Sequence, residues 1–155
     1  MLRPAILYKE ELLKKFSEQL YTDDYHFYLG YAAGTVLPKI EEHENSIQYA
    51  IVDKEKVIGF LCYWVDYASK SVSSFGLYSF DKGNPIIGSD LYKEMNKLRK
   101  RFHRIEWKMV GNNPVKKHYD KMCKEWGGTI YQLHDATIDL EGNYQDLYIY
   151  EVINK

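Results

Sequence analysis

Hydrophobic and polar positions change period repeatedly along this chain. Residues 4–8 read as a short first strand. Leu12, Leu13, Phe16 and Leu20 then fall at helical spacing, with Lys14, Lys15, Glu18 and Gln19 between them, which predicts an amphipathic helix. The tyrosine-rich segment from Tyr25 to Tyr31 reads as a short helix running into a loop. Residues 47–52 and 57–65 predict two strands joined at Asp53-Lys54-Glu55-Lys56 as a hairpin, and residues 72–80 predict a fourth strand. Ile87, Leu91, Met95, Leu98 and Phe102 mark one face of a helix. Ile105, Trp107 and Met109 then alternate with Glu106, Lys108 and Val110 as a fifth strand. Val115, Tyr119, Met122 and Trp126 make a further helical face, which Gly127-Gly128 stops. Residues 129–138 and 145–152 are the last two strands, joined by a turn at Gly142-Asn143.

The resulting order is β-α-α-β-β-β-α-β-α-β-β. Three antiparallel-looking strands precede two helical crossovers, so one mixed sheet covered by helices is the economical arrangement. The class is α+β, or α/β under a looser definition. No repeat, low-complexity tract or linker interrupts the chain, and its 155 residues are one domain's worth, 1–155.

Composition narrows the partners. Apolar residues make up 45% and charged residues 28%, which fits neither a disordered tail nor a membrane protein. The longest apolar run, Val57 to Val65, is about half a membrane span, and the first residues turn charged before a signal-peptide core forms. A formal net charge of −1 predicts no general attraction to nucleic acid or to an anionic membrane. The basic run Lys97, Arg99, Lys100, Arg101 and Arg104 sits where cations favour a helix C-terminus, as on a solvated face. Cys62 and Cys123, far apart in sequence, suggest neither a disulfide framework nor a zinc site, so the expectation is reduced thiols in the cytoplasm. The five histidines are scattered, with no H-x-H or H-x-x-x-H pair, so no metal is expected. There is no G-x-S-x-G elbow, P-loop lysine or full G-x-G-x-x-G fingerprint. Cys123 has no evident activating histidine and reads as a structural thiol.

Chemistry concentrates in the stretch DKGNPIIGSDLY, residues 81–92, between the fourth strand and the helix after it. Asn84 suits an N-cap and Pro85 the first helical position, where its missing donor costs nothing. The N–H groups of Ile86, Ile87 and Gly88 would then stand at the positive end of a helix dipole, which attracts phosphate. Asn84 can also accept from those amides itself, in which case the stretch is an ordinary capped helix.

The strand order, with this turn in its place, resembles the GCN5-related N-acetyltransferase (GNAT) superfamily over nearly the whole chain, most strongly from Tyr49 to Trp126. The family's Q/R-x-x-G-x-G/A motif, whose backbone amides hold the pyrophosphate of acetyl-CoA, falls on Gly83-Asn84-Pro85-Ile86-Ile87-Gly88, and its S-x-L continuation on Ser89-Asp90-Leu91. Asn112, Val115 and Tyr119 are similar to the N-x-x-A-x-x-x-Y that follows the fifth strand. Two positions depart from the pattern. Gly83 replaces the usual arginine or glutamine, and Ile86 replaces the first glycine, placing a side chain that would obstruct a phosphate's approach to the backbone.

The resemblance implies a mixed, mostly antiparallel sheet of about seven strands flanked by about four helices, and acetyl-CoA as cosubstrate. An amine of a small molecule, peptide or protein would attack the thioester directly in a ternary complex. Backbone around Leu77 and Tyr78 would polarise the thioester carbonyl, and Tyr78 and Phe80 would pair with the pantetheine arm as an added strand. Tyr119 would be the general acid for the departing thiolate; the alternative is a core tyrosine beside Val115 and Met122. Asn112 either hydrogen-bonds CoA or shapes its turn. Candidate bases are Glu106, Asp66 and His26, each also readable as an ordinary surface residue, whereas His118, next to Tyr119 on a helix, is expected to point elsewhere. Lys116 and Lys117 oppose a helix dipole unless a phosphate lies nearby; solvated lysines are the plainer reading. Tyr21, Tyr25, Tyr28 and Tyr31 suit either an aromatic wall of the acceptor site or packing. Homodimer formation is compatible with the resemblance. The competing functional reading is a GNAT-like domain that has lost the cofactor and serves as a binding or accessory protein.

Overall fold

The computed structural model describes residues 1–22, 25 and 36–155. Strand β1 (Leu2–Pro4) leads through a 3-10 turn (Ala5–Tyr8) into helix α1 (Lys9–Ser17). Strands β2 (Ser46–Asp53), β3 (Lys56–Asp66) and β4 (Ser71–Ser79) follow, then helix α2 (Pro85–Arg101), strand β5 (Arg104–Val110), helix α3 (Lys116–Glu125), and strands β6 (Thr129–Ile138) and β7 (Tyr144–Ile153). They form a seven-stranded sheet in the order β1-β2-β3-β4-β5-β7-β6. Every neighbouring pair is antiparallel except β4 and β5, which the α2 crossover makes parallel.

The α+β sheet expected from the sequence is present, with corrections at its start. The first strand lies at Leu2–Pro4, and residues 5–8 coil into the 3-10 turn because Ala5 is needed in the core beneath α1. Helix α1 ends at Ser17, short of Leu20. The described residues contain three α-helices rather than four. The helix expected at 25–31 lies outside the described residues except for Tyr25, as do the candidate base His26 and the tyrosines Tyr28 and Tyr31.

Two apolar clusters sandwich the sheet. On one face α2 and α3 lay Ile87, Leu91, Met95, Leu98, Met122 and Cys123 against Leu61, Tyr63, Val65, Ile105, Trp107 and Tyr150. On the other, α1 lays Leu12 and Phe16 against Ala50, Val57, Phe60 and Tyr78. Strand β3 serves both, with Phe60 in one cluster and Leu61 in the other, which is why its apolar residues run on without alternation. Tyr25 also belongs to the second cluster, its ring 5.7 Å from Phe16 and 5.8 Å from Tyr78. It is packing, not wall.

Lys54 and Glu55 join β2 to β3 with φ angles of 46° and 69°. Asp53 pairs with Lys56, so this is a two-residue loop with both residues left-handed, the geometry that asparagine and glycine adopt most cheaply. Lys54→Asn combined with Glu55→Gly should stabilise the fold by about 1 kcal/mol and raise Tm by roughly 2–4 °C in a thermal melt. An unchanged or lower Tm would show that this turn carries no strain.

Candidate functional site

Strands β4 and β5 pair only at Ser71 with Arg104 and Val72 with Ile105. Beyond that point they part, while β4 keeps its pairing with β3 as far as Ser79 and β5 keeps its pairing with β7 as far as Val110. An extra residue in β4 opens the gap. Trp64 pairs with Ser73 and Cys62 with Gly76, so three steps along β4 match two along β3, and Ser74 takes a left-handed φ of 56° in the resulting bulge. The backbone groups that β4 turns toward β5 after Val72 therefore lose their ladder partners.

A cleft of about 780 Å³ fills this gap and continues between α2 and α3. Leu77, Tyr78 and Ser79 of β4, Met109 of β5, Gly83, Asn84 and Gly88 at the start of α2, and His118, Tyr119 and Met122 of α3 are among its walls. Lys82, Lys108 and Lys121 also line it, with Glu125 the one carboxylate among the described lining residues. The local field therefore favours an anion.

The α2 start is built as the sequence suggests. Asn84 is the N-cap, its Oδ1 accepting from the Ile86 N–H at 3.1 Å, with Pro85 at the first helical position. The Asn84 amide donates to Asp81 Oδ2 at 2.9 Å, fixing the turn, and Gly83 takes a φ of 81° that favours glycine. The Ile87 N–H donates to the Asn84 carbonyl at 3.3 Å. Of the three amides singled out, those of Ile86 and Ile87 thus have partners within the chain. Ile86 does not line the cleft; its side chain packs against the main core, so it does not stand where a phosphate would approach. A Cβ added to Gly88 would meet nothing within 4 Å, so the cleft is open there. Ser89 is exposed and outside the lining.

Tyr119 both packs in the core and lines the cleft. Its ring stands 6.3 Å from Trp107 and 6.0 Å from Tyr150, at the edge of the core, and it lines the cleft. Burial pushes its hydroxyl up to about 12, so the group is protonated and able to donate at neutral pH. His118 lines the same cleft, against expectation. Asn112 is exposed and outside the lining; Asn113 lines the cleft instead, its Oδ1 accepting from the Val115 N–H at 3.1 Å.

Other candidates lie elsewhere. Glu106 is on β5 with its carboxylate bonded to the Arg104 guanidinium, which also donates to Glu151 Oε2 at 2.7 Å; it does not line the cleft. Asp66 closes the β3–β4 turn, accepting from the amides of Ser69 and Ala68, and these bonds, Ser69's foremost, hold its carboxyl below the usual range. The side chain of Tyr78 is buried toward α1, with the hydroxyl donating to Gln19 Oε1 at 2.8 Å, and its backbone pairs with Phe60 of β3. Phe80 packs 5.0 Å from Phe16 and is outside the lining. Lys116 reaches Asp120 at 2.6 Å and lies over the Tyr148 ring, and neither it nor Lys117 borders the cleft. Cys123 is buried and its thiol pushed up by burial, as a structural cysteine would be.

Lys82, Lys108, Lys121, Tyr92 and Glu125 are among the cleft residues that sequence reasoning passed over. The α3 pair was within reach. Lys121 and Glu125 continue, four residues apart, along the edge of the face that carries Tyr119 and Met122. Among the described residues no group of three His, Cys, Asp or Glu side chains is placed to hold a metal ion, and no helix is long and apolar enough to cross a membrane.

No protein-family model matches the sequence, and no curated protein matches it. Solved structures do. The chain is similar to the microcin C7 self-immunity acetyltransferase MccE, solved in complex with acetyl-CoA and AMP, with 21% identity, 99% of this chain and 91% of that one covered, and a TM-score of 0.68. It is also similar to a probable GNAT-family acetyltransferase from Chromobacterium violaceum, at 14% identity, 99% and 85% coverage and a TM-score of 0.65. A further probable acetyltransferase matches at 14% identity and a TM-score of 0.55 over 72% of this chain, which spans 63% of that structure. The chain has the GNAT fold.

Proposed function

We propose that this protein is an acetyl-CoA-dependent N-acetyltransferase acting on an amine of a small molecule, peptide or protein. The observation that carries this reading is the parting of β4 and β5. It brings the stretch of β4 at Leu77, which has no ladder partner on β5, the open start of α2 at Gly88 and the protonated Tyr119 hydroxyl onto one cleft.

In this reading the pantetheine arm lies along β4 and completes its broken ladder by strand addition. The pyrophosphate sits at the start of α2, where the helix dipole and Lys82 favour negative charge. Within the ternary complex the amine nitrogen attacks the thioester carbonyl carbon, and backbone N–H groups near Leu77 stabilise the oxyanion. The C–S bond then breaks as the amide forms. The sulfur leaves as a thiolate hydrogen-bonded by Tyr119. A phenol near 12 sits above an ordinary thiol near 8.5, so Tyr119 acts chiefly by that hydrogen bond, and complete proton transfer follows as solvent restores it. The proton lost from the amine goes to water at the mouth of the cleft. Glu106 would take it only if Arg104 released its carboxylate.

Incubation with acetyl-CoA and a panel of primary amines, read by release of free CoA thiol and by an acetyl mass increment on the amine, tests this function. Thiol release that depends on the amine supports it. Thiol release without acetylated product, or none with any amine, contradicts it and leaves the competing reading, a cofactor-free binding domain.

A further inference from the structure

We propose that the acceptor is an amine that also carries an anionic group, a carboxylate or a phosphate, and that Lys108 binds this group. The inference rests on the acetyltransferase reading and names the acceptor class for the same cleft.

Lys108 stands on the opposite side of the sheet from the groups assigned to the donor. Trp107 and Met109 of β5 pack in the cluster beneath α2 and α3, so strand alternation turns Lys108 to the other face. Both Lys108 and Met109 line the cleft, so the gap beside β5 opens through the sheet. Lys82, just before α2, and Lys121, on α3, belong with the helices, where a pyrophosphate accounts for positive charge. It does not account for Lys108.

The protein does not neutralise this cation either. Lys108 is exposed and has no carboxylate partner among the described residues. Two carboxylates share its face, Glu106 on β5 and Glu151 opposite it on β7, and Arg104 holds both. Across the ladder Lys108 pairs with Ile149, which pairs in turn with Tyr131 of β6, so its lateral neighbours are apolar. On its other side β4 has parted and the cleft begins. Glu125, the one carboxylate among the described lining residues, lies on α3 with the Tyr92 hydroxyl donating to it at 2.9 Å. An acceptor with a second positive charge therefore meets repulsion at Lys108. One whose amine is balanced by a carboxylate or phosphate gains a charge-assisted hydrogen bond. The transfer itself is unchanged: the amine nitrogen takes the acetyl group as the C–S bond breaks, and the anionic group only binds.

The test sets anionic amines against counterparts that lack the anion: amino acids against their amides, and O-phosphoethanolamine against ethanolamine, with 1,4-diaminobutane as a dication. Acetylation at saturating acetyl-CoA is read as kcat/KM for each amine, for wild type, Lys108→Met and Lys108→Glu. Lys108 is exposed, so both variants should fold, and melting curves check that they do. Wild-type protein should favour the anionic member of a pair at least about tenfold, and the two kinds of pair tell carboxylate from phosphate. Lys108→Met should shrink that preference about tenfold, the worth of one charge-assisted hydrogen bond, with KM for acetyl-CoA little changed. Lys108→Glu should reverse the preference toward the diamine. A wild-type preference for the amides, ethanolamine or the diamine, or an undiminished preference in both variants, overturns the inference while the acetyltransferase reading stands. A raised KM for acetyl-CoA in Lys108→Met would assign the lysine to the donor and overturn it equally. No acetylation of any amine overturns both.

Discussion

Gly88→Asp should abolish acetyl-CoA binding while leaving the fold at least as stable as before. The two effects have opposite signs because they act on different states. A Cβ at Gly88 meets nothing within 4 Å, so the substitution starts into open space. Gly88 lies in the first turns of α2, where replacing glycine and adding a negative charge at the positive end of the dipole should together contribute roughly 0.5–1 kcal/mol to stability. In the complex the same carboxylate would face the pyrophosphate. Two like charges 4 Å apart repel by about 4 kcal/mol at the effective dielectric of a protein surface, roughly a thousandfold in Kd. Calorimetry should show at least about a hundredfold loss in a protein whose Tm is unchanged or higher. Retained affinity would place the phosphates away from α2. Lost affinity with a lower Tm would mean that the substitution had damaged the fold instead.

Tyr119→Phe should lower kcat about a hundredfold with KM for acetyl-CoA little changed, because the hydroxyl acts on the departing sulfur and not on the bound thioester. The ring remains to pack against Trp107 and Tyr150, so stability should be close to wild type. The pH dependence follows from the raised value. Burial holds the hydroxyl at about 12, so the donor is present below that pH and is lost only as pH rises through it. Wild-type and Tyr119→Phe profiles should therefore share one shape between about pH 6 and 10, offset by a constant factor. An unchanged kcat would reduce Tyr119 to a core residue. An alkaline limb in that range that Tyr119→Phe removes would mean the hydroxyl titrates far below the value its burial sets.

The sheet and the helices α2 and α3 were legible because their signals are local. Period-two alternation on β5, the Asn84-Pro85 cap and the Gly127-Gly128 stop each depend on a few neighbouring residues. Gly88 was legible from its place after the Asn84 cap and from its match to the family motif, and Tyr119 only from the resemblance of Asn112, Val115 and Tyr119 to the motif after the fifth strand. What escaped depends on partners distant in sequence. The side chain of Ile86 turns to the core because α2 lies flat on the sheet, which no motif encodes. The bulge at Ser74 that opens the gap shows only as Gly76 within a strand-like run, a weak signal. Tyr92 and Glu125 meet across two helices, 33 residues apart. Glu106 looked available on an alternating strand until β7 and Arg104 were seen to hold that face. The 3-10 turn after Pro4 likewise reflects what α1 must cover, against the strand-like look of its residues.

All of these roles presuppose that the gap between β4 and β5 receives acetyl-CoA. The most direct measurement is calorimetric titration of the purified wild-type protein with acetyl-CoA, with a thermal melt of the same samples. The account predicts a micromolar, one-to-one complex and a Tm that rises with acetyl-CoA concentration. No heat of binding and no thermal shift at millimolar acetyl-CoA would contradict it, and residues 81–92 would then be a capped helix and nothing more.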